Sequence, residues 1–102
     1  MGTPIRMTGT TQAVLEAFLA GPKADHYGLQ IGAETALPSS TIHPILARLE
    51  SIGWLTSGWE EIDPAQAGRP KRRYYRLTAE GLSASRAALA AARERRARYA
   101  AQ

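Results

Sequence analysis

Five cations, Arg69, Lys71, Arg72, Arg73 and Arg76, fall within eight residues and are interleaved with Tyr74 and Tyr75. Such a cluster makes and breaks no covalent bonds. Its chemistry is the capture of a polyanion, with clustered charge and rings suited to a sugar-phosphate backbone. Arg69 stands beside Pro70, a placement that could carry an arginine into a narrow minor groove. The plainer alternative is an edge strand protected by positive charge against aggregation.

A second constellation lies in "SSTIHPILARLE", Ser39 to Glu50. Ile42, Ile45, Leu46, Leu49 and Ile52 share a helical face about 120° wide, which belongs to a core. The opposite side holds Ser40, Pro44, Ala47 and Ser51, flanked by Thr41, His43 and Arg48. These groups are small or hydrogen-bonding, as a helix needs if it is to lie in a groove roughly 12 Å wide. Ser39, Ser40 and Thr41 sit where a helix N-terminus directs its amides at a phosphate. The bland alternative is a solvated face with capping serines. Either Ser39 or Ser40 is expected as N-cap, which makes Pro44 the fifth or the fourth helical residue, at the limit of what a first turn tolerates.

Other chemistries find little support. There is no cysteine, and His26 and His43 have no clustered carboxylates to complete a metal site. Serines are plentiful, yet neither histidine has a convincing acid and nucleophile around it, so no catalytic role is expected and no cofactor is implied. The N-terminal segment lacks the continuous apolar core of a secretory signal, and no stretch is apolar enough to span a membrane. A cytoplasmic protein is expected.

Elements must hold these groups in place. A first helix is expected from Thr10 or Thr11 as cap to the stop at Gly21-Pro22, with Val14, Leu15, Phe18 and Leu19 as its stripe. A second helix of about 10 residues is expected within Asp25–Leu37, anchored by Tyr27, Ile31 and Leu37. The third runs from the serines to Gly53. The period then changes. Trp54–Ile62 and Arg72–Leu77 read as two strands, and "DPAQAGRPK" between them as the loop of a hairpin. Trp54 and Trp59 are expected to pack that hairpin. A last helix begins after Thr78 and is rich in alanine, the best helix former. Leu82, Leu89 and Ala92 share one of its faces, with Tyr99 at the edge, and a small core cannot cover that face along its whole length. A partner chain is the expected solution. Arg93, Arg95, Arg96 and Arg98 lie on the same helix, either for nucleic acid or as its polar face.

The fold class is therefore mainly α with a β-hairpin: a winged helix-turn-helix over residues 1–78, followed by a C-terminal dimerisation helix over 79–102. Charge agrees with that division. Residues 1–68 carry a net charge of −4 and residues 69–102 one of +8, which points to a polyanion met mainly by the C-terminal third.

With the elements placed, "YGLQIGAETALPSSTIHPILARLESIGWLTSGWEEI" and "GRPKRRYYRLTAEG" resemble the PadR family of bacterial transcription regulators. The likeness runs from about Tyr27 to Gly81. It rests on Tyr27-Gly28, on the pattern S-x-x-x-P-x-L-x-R-L-E-x-x-G-x-L from Ser40 to Leu55, and on "RRYYRLTAEG". The resemblance implies a homodimeric repressor that binds double-stranded DNA at an inverted repeat. The contacts would come from Ser39, Ser40, Thr41, His43, Pro44 and Arg48 on the third helix, and from Arg69, Lys71, Arg72 and Arg73 on the wing. It also implies a dimer interface shared by the first helix (Val14, Phe18) and the last (Leu82, Leu89, Ala92, Tyr99). Some members respond to a small aromatic or drug-like effector between subunits, so a ligand site near Trp54 and Trp59 is an alternative, as is a winged helix that binds only protein. Two departures stand out: His43 replaces a tyrosine before the proline, and the C-terminal helix has no tryptophan to build an aromatic stacking pocket.

Overall fold

The computed structural model describes residues 4–101; Met1–Thr3 of the N-terminal segment and Gln102 lie outside that range. In chain order the elements are α1 (Gly9–Ala20), β1 (His26–Tyr27), α2 (Gly28–Thr35), α3 (Ser39–Ser51), β2 (Leu55–Trp59), α4 (Pro64–Ala67), β3 (Arg73–Leu77) and α5 (Ala79–Ala100). This is a mainly helical winged helix with a small antiparallel sheet.

α1 starts earlier than its threonines suggest, because Thr8 is the N-cap and its Oγ1 accepts from the Thr11 amide. α2 is shorter than expected, eight residues, because His26 and Tyr27 leave it to form β1. That strand pairs with β3, His26 opposite Tyr75 and Tyr27 opposite Tyr74, and the sheet order is β1-β3-β2. The turn into α3 passes through Ala36, which adopts a left-handed conformation at φ 58°.

α3 ends in a tight hydrogen-bonded turn. The Gly53 amide donates to the Glu50 carbonyl and the Trp54 amide to the Leu49 carbonyl. Gly53 sits at φ 82°, a region open to glycine at no steric cost. That turn delivers the chain into β2, whose register with β3 runs from Leu55 opposite Leu77 to Trp59 opposite Arg73. The segment expected as plain loop contains α4, one short turn capped by Asp63 and closed by Gly68.

The core lies where α1, α2, α3 and the sheet meet. Val14, Phe18, Ile31, Ile42, Leu46 and Leu49 are almost wholly removed from water, and that burial is the main stabilising term of the domain. The apolar stripe of α3 is buried as its spacing requires. His26 is also buried, which its sequence position does not announce. Its ring meets Phe18 at 4.7 Å between centroids, Nε2 lies 2.7 Å from the Gly21 carbonyl, and Nδ1 lies 3.1 Å from the Gln30 amide.

α5 is in two parts. Gly81, Ser85, Ala88, Leu89 and Ala92 are buried, one stripe at helical spacing. Gly81 has no room for a side chain, since a Cβ there would overlap the Trp54 carbonyl. From Arg93 to Ala100 every residue is exposed. At 1.5 Å per residue the whole helix is about 33 Å long, which is why the described chain measures 58 × 26 × 20 Å.

Candidate nucleic-acid interface

α3 presents its first turn bare. The N-cap is Pro38 and not Ser39 or Ser40 as expected, and it offers no side-chain acceptor. Its carbonyl takes the amides of Thr41 and Ile42 at 3.0 and 3.1 Å, whereas the Ser39 and Ser40 amides have no acceptor among the described residues. No acidic residue occupies the first turn to offset the positive end of the helix dipole. The two serines are thus not caps. They flank unspent donors, the arrangement that binds an anion at a helix N-terminus.

The later start also changes the reading of Pro44. Counted from Pro38 it is the sixth helical residue, so it costs an internal bond, because the Ser40 carbonyl can receive no amide from position 44. His43 and Pro44 are both exposed, as are Ser39, Ser40 and Arg48, and Thr41 is half-buried. His43 lies against the start of α2, where a Cβ on Gly28 would come within 3.3 Å of its Cε1. A side chain at position 28 would press on that ring, which would have to shift by a few tenths of an ångström.

The wing is organised by a carboxylate that sequence inspection passed over. Glu60 Oε1 accepts from Arg69 Nη1 at 2.6 Å and from the Arg72 amide at 2.8 Å, and Oε2 accepts from Arg69 Nη2 at 3.1 Å. The Glu60 amide in turn donates to the Arg72 carbonyl at 3.0 Å. One side chain therefore holds both ends of the 60–72 loop. The Arg69 hydrogen bonds are the chief reason that the Glu60 carboxyl is lowered to about 2; desolvation opposes them, and the Arg72 amide and the charges of both arginines add to them. Arg69 is raised by the same pair.

The expectation of Arg69 in a minor groove meets a side chain already paired with Glu60. It is spent within the wing. Two more wing arginines have partners within the chain, a carboxylate for Arg76 and chiefly a hydroxyl and a ring for Arg73. Arg76 binds Asp25 Oδ1 through Nε at 2.7 Å and Nη2 at 2.6 Å. Arg73 donates to Ser57 Oγ at 2.7 Å and lies 5.5 Å above the Trp59 ring. Ser57 donates to Glu50 Oε2 at 2.5 Å, tying the wing to the end of α3. Among the described residues Lys71, Arg72 and Arg48 have no side-chain ion pair.

Between α2, α3 and the hairpin runs a cleft of about 820 Å³. Ser39, His43, Arg72 and Arg73 line it together, joined by Leu29, Ile42, Trp59 and Tyr75. Ser40, Thr41, Pro44, Arg48 and Lys71 lie outside its lining. No acidic residue lines the cleft. Leu29 (80% exposed) was not singled out from the sequence, whereas Trp59 (57% exposed) was expected to pack the hairpin, with a ligand site near it as the alternative. Leu29 falls off the Ile31 stripe of α2, a signal that was available. The exposure of Trp59 was not readable from the alternation of β2.

The residues expected to make a dimer do not all face outward. Val14 and Phe18 have no exposed surface, and Leu89 and Ala92 have 1% and 3%. All four are buried within the single chain, and Leu89 also lines the hollow between α1 and α5. Leu82 is half-buried and Tyr99 is 76% exposed. The two tryptophans also part company: Trp54 is buried at 3% exposure, whereas Trp59 stands in the cleft.

Comparison with known proteins agrees with this geometry. A search of curated proteins finds no match. Among solved structures, a PadR family transcriptional regulator from Eggerthella lenta DSM 2243 is 28% identical, with a TM-score of 0.61 over 79% of this chain and 72% of that one. The PcaV transcriptional regulator from Streptomyces coelicolor is 33% identical, with a TM-score of 0.66 over 88% of this chain and 60% of that one. Disulfide-formed AbfR is 25% identical, with a TM-score of 0.66 over 83% of this chain and 57% of that one. The chain spans only 51–61% of the length of several structures it matches. The model of the transcriptional regulator PadR-like family matches residues 24–87, from just before β1 into the first turns of α5. The chain belongs to the PadR-like family of transcriptional regulators.

Proposed function

We propose that the protein is a homodimeric repressor that binds an inverted-repeat operator in double-stranded DNA, with α3 in the major groove and the wing along the backbone. One observation carries this reading. The undischarged N-terminus of α3 and the unpaired Arg72 face a single cleft without acidic residues. A helix end that offers amides and hydroxyls beside a cation complements a phosphate strand on one side and base edges on the other. Ser40 and Thr41 are short enough to let the α3 backbone approach the bases, and the Ser40 carbonyl, left without a helical donor, can accept from a base amine. Lys71, Arg72 and Arg48 supply salt-sensitive affinity.

Dimerisation is assigned to the projecting turns of α5 together with the outer surface of α1. The supporting observations are the exposed Tyr99, the half-buried Leu82, and the hollow where Leu19 and Ala20 of α1 meet Arg86 and Arg93 of α5. Division of labour between residues 1–78 and 79–102 follows in modified form, with α5 up to Ala92 serving the winged helix as well. A chromosomal operator places the protein in the cytoplasm.

Selection of bound genomic fragments, beginning with the region upstream of the protein's own coding sequence, tests the reading when combined with analytical ultracentrifugation. The expected result is enrichment of a palindromic site bound by two chains. No enrichment at any salt concentration, or a monomer on the DNA, contradicts it.

A further inference from the structure

The cleft holds two side chains that phosphate recognition does not need. Leu29 is 80% and Trp59 57% exposed, and both line the cleft beside Ser39, His43 and Arg72. Exposed apolar groups on a surface meant for a polyanion require their own explanation. Duplex geometry supplies one. In B-form DNA a single sugar-phosphate strand separates the major groove from the next minor groove. If α3 occupies the major groove and the wing lies beside it, that strand has to pass between them, through this cleft.

We propose that one strand of the duplex runs in the cleft and that its deoxyribose faces pack on Leu29 and Trp59. The phosphates on either side meet Arg72, His43 and the first amides of α3. The inference rests on the DNA-binding reading above and adds an apolar contribution to it. Sugars and phosphates alternate along a strand, and the cleft mixes apolar and cationic groups to match, with no carboxylate to repel them. Trp59 is held before DNA arrives, because Arg73 lies 5.5 Å over its ring and is itself fixed by Ser57 at 2.7 Å.

The contribution has a distinctive signature. Apolar contact releases no condensed counterion, so it alters affinity without altering the dependence of log K on log salt. Sugar contacts are also indifferent to base sequence, so no operator need be known. The test measures binding of wild type, Leu29→Ser, Trp59→Ser and Arg72→Ala to a random-sequence duplex of about 30 base pairs across a salt series. Leu29→Ser removes a side chain that is mostly in water, and thermal melting confirms that each variant is folded.

The expected result is a loss of about five-fold for Leu29→Ser and Trp59→Ser with an unchanged slope, as for roughly 40 Å² of apolar surface returned to water. Arg72→Ala should instead reduce the slope by about 0.9. Duplex should also quench the emission of wild type, and the quenching should vanish in Trp59→Ser. Wild-type affinity in both apolar variants, with the Arg72→Ala slope still reduced, overturns the proposal and leaves DNA binding intact, with the cleft open to another occupant. Absence of any binding by wild type overturns the DNA-binding reading itself.

Discussion

α3 and the wing face one another across the cleft and are built on opposite plans. The first turn of α3 contains no charge and no side-chain cap, and what it offers is unsatisfied amides, hydroxyls and a Ser40 carbonyl that Pro44 deprives of its usual helical donor. The wing is crowded with charge, but most of it is already committed: Arg69 to Glu60, Arg76 to Asp25, Arg73 to Ser57 and the Trp59 ring. A count of basic residues in the wing therefore overstates what is available for phosphates. The difference teaches that charge density locates a binding surface, whereas pairing decides which charges do the binding.

The contrast can be broken most severely at α3. Ser40→Glu places a carboxylate at the positive end of the helix, where it should raise stability by about 0.5 kcal/mol. The same charge faces the DNA backbone, and affinity should fall by about 100-fold. Melting and gel-shift measurements on one variant read both signs. A parallel loss of stability and binding would mean that the α3 N-terminus is not the anion-binding end.

On the wing, the sharpest probe is acid. The Glu60 carboxyl is depressed to about 2 in the folded wing, so its contribution is fully present above the ordinary carboxylate value and is lost as pH falls through about 2. Trp59, next in sequence to Glu60, should keep its emission unchanged down to about pH 4 and shift only below it. In Glu60→Gln that acid step should be absent. A step at ordinary carboxylate pH in the wild type would show that the clasp does not form.

The smallest effect is expected at the turn that aims α3. Ala36 is a non-glycine residue at φ 58°, and Ala36→Gly should relieve about 0.5 kcal/mol of net strain after the entropy cost of glycine is subtracted. Calorimetry should show a slightly higher melting temperature with DNA affinity unchanged. A fall in stability would mean that the turn gains nothing from glycine.

Those elements also show which parts of the molecule could be read from residues alone. The α3 stripe and the hairpin were legible because period and turn chemistry are local properties. So was the Thr78 cap, whose Oγ1 accepts from Gly81. The α3 cap was misread because two serines look like caps, while the choice of Pro38 depends on how the chain leaves the Ala36 turn. β1 escaped notice because two residues have no period. Val14 and Phe18 were expected at a partner through the family resemblance, and Leu89 and Ala92 also because a stripe reveals that a face is covered but not by what. The Glu60 clasp joins groups nine and twelve residues apart through a loop, and no spacing rule foretells it.

The central claim is that unpaired cations, and not the basic cluster as a whole, hold the phosphate backbone. The direct measurement is the salt dependence of DNA affinity for Arg72→Ala and Arg69→Ala side by side, on a duplex recovered by selection. The account predicts that Arg72→Ala reduces the slope by about 0.9 while Arg69→Ala leaves it unchanged. Equal reductions in both variants would contradict it, because they would show that the ion pair with Glu60 does not withhold Arg69 from DNA.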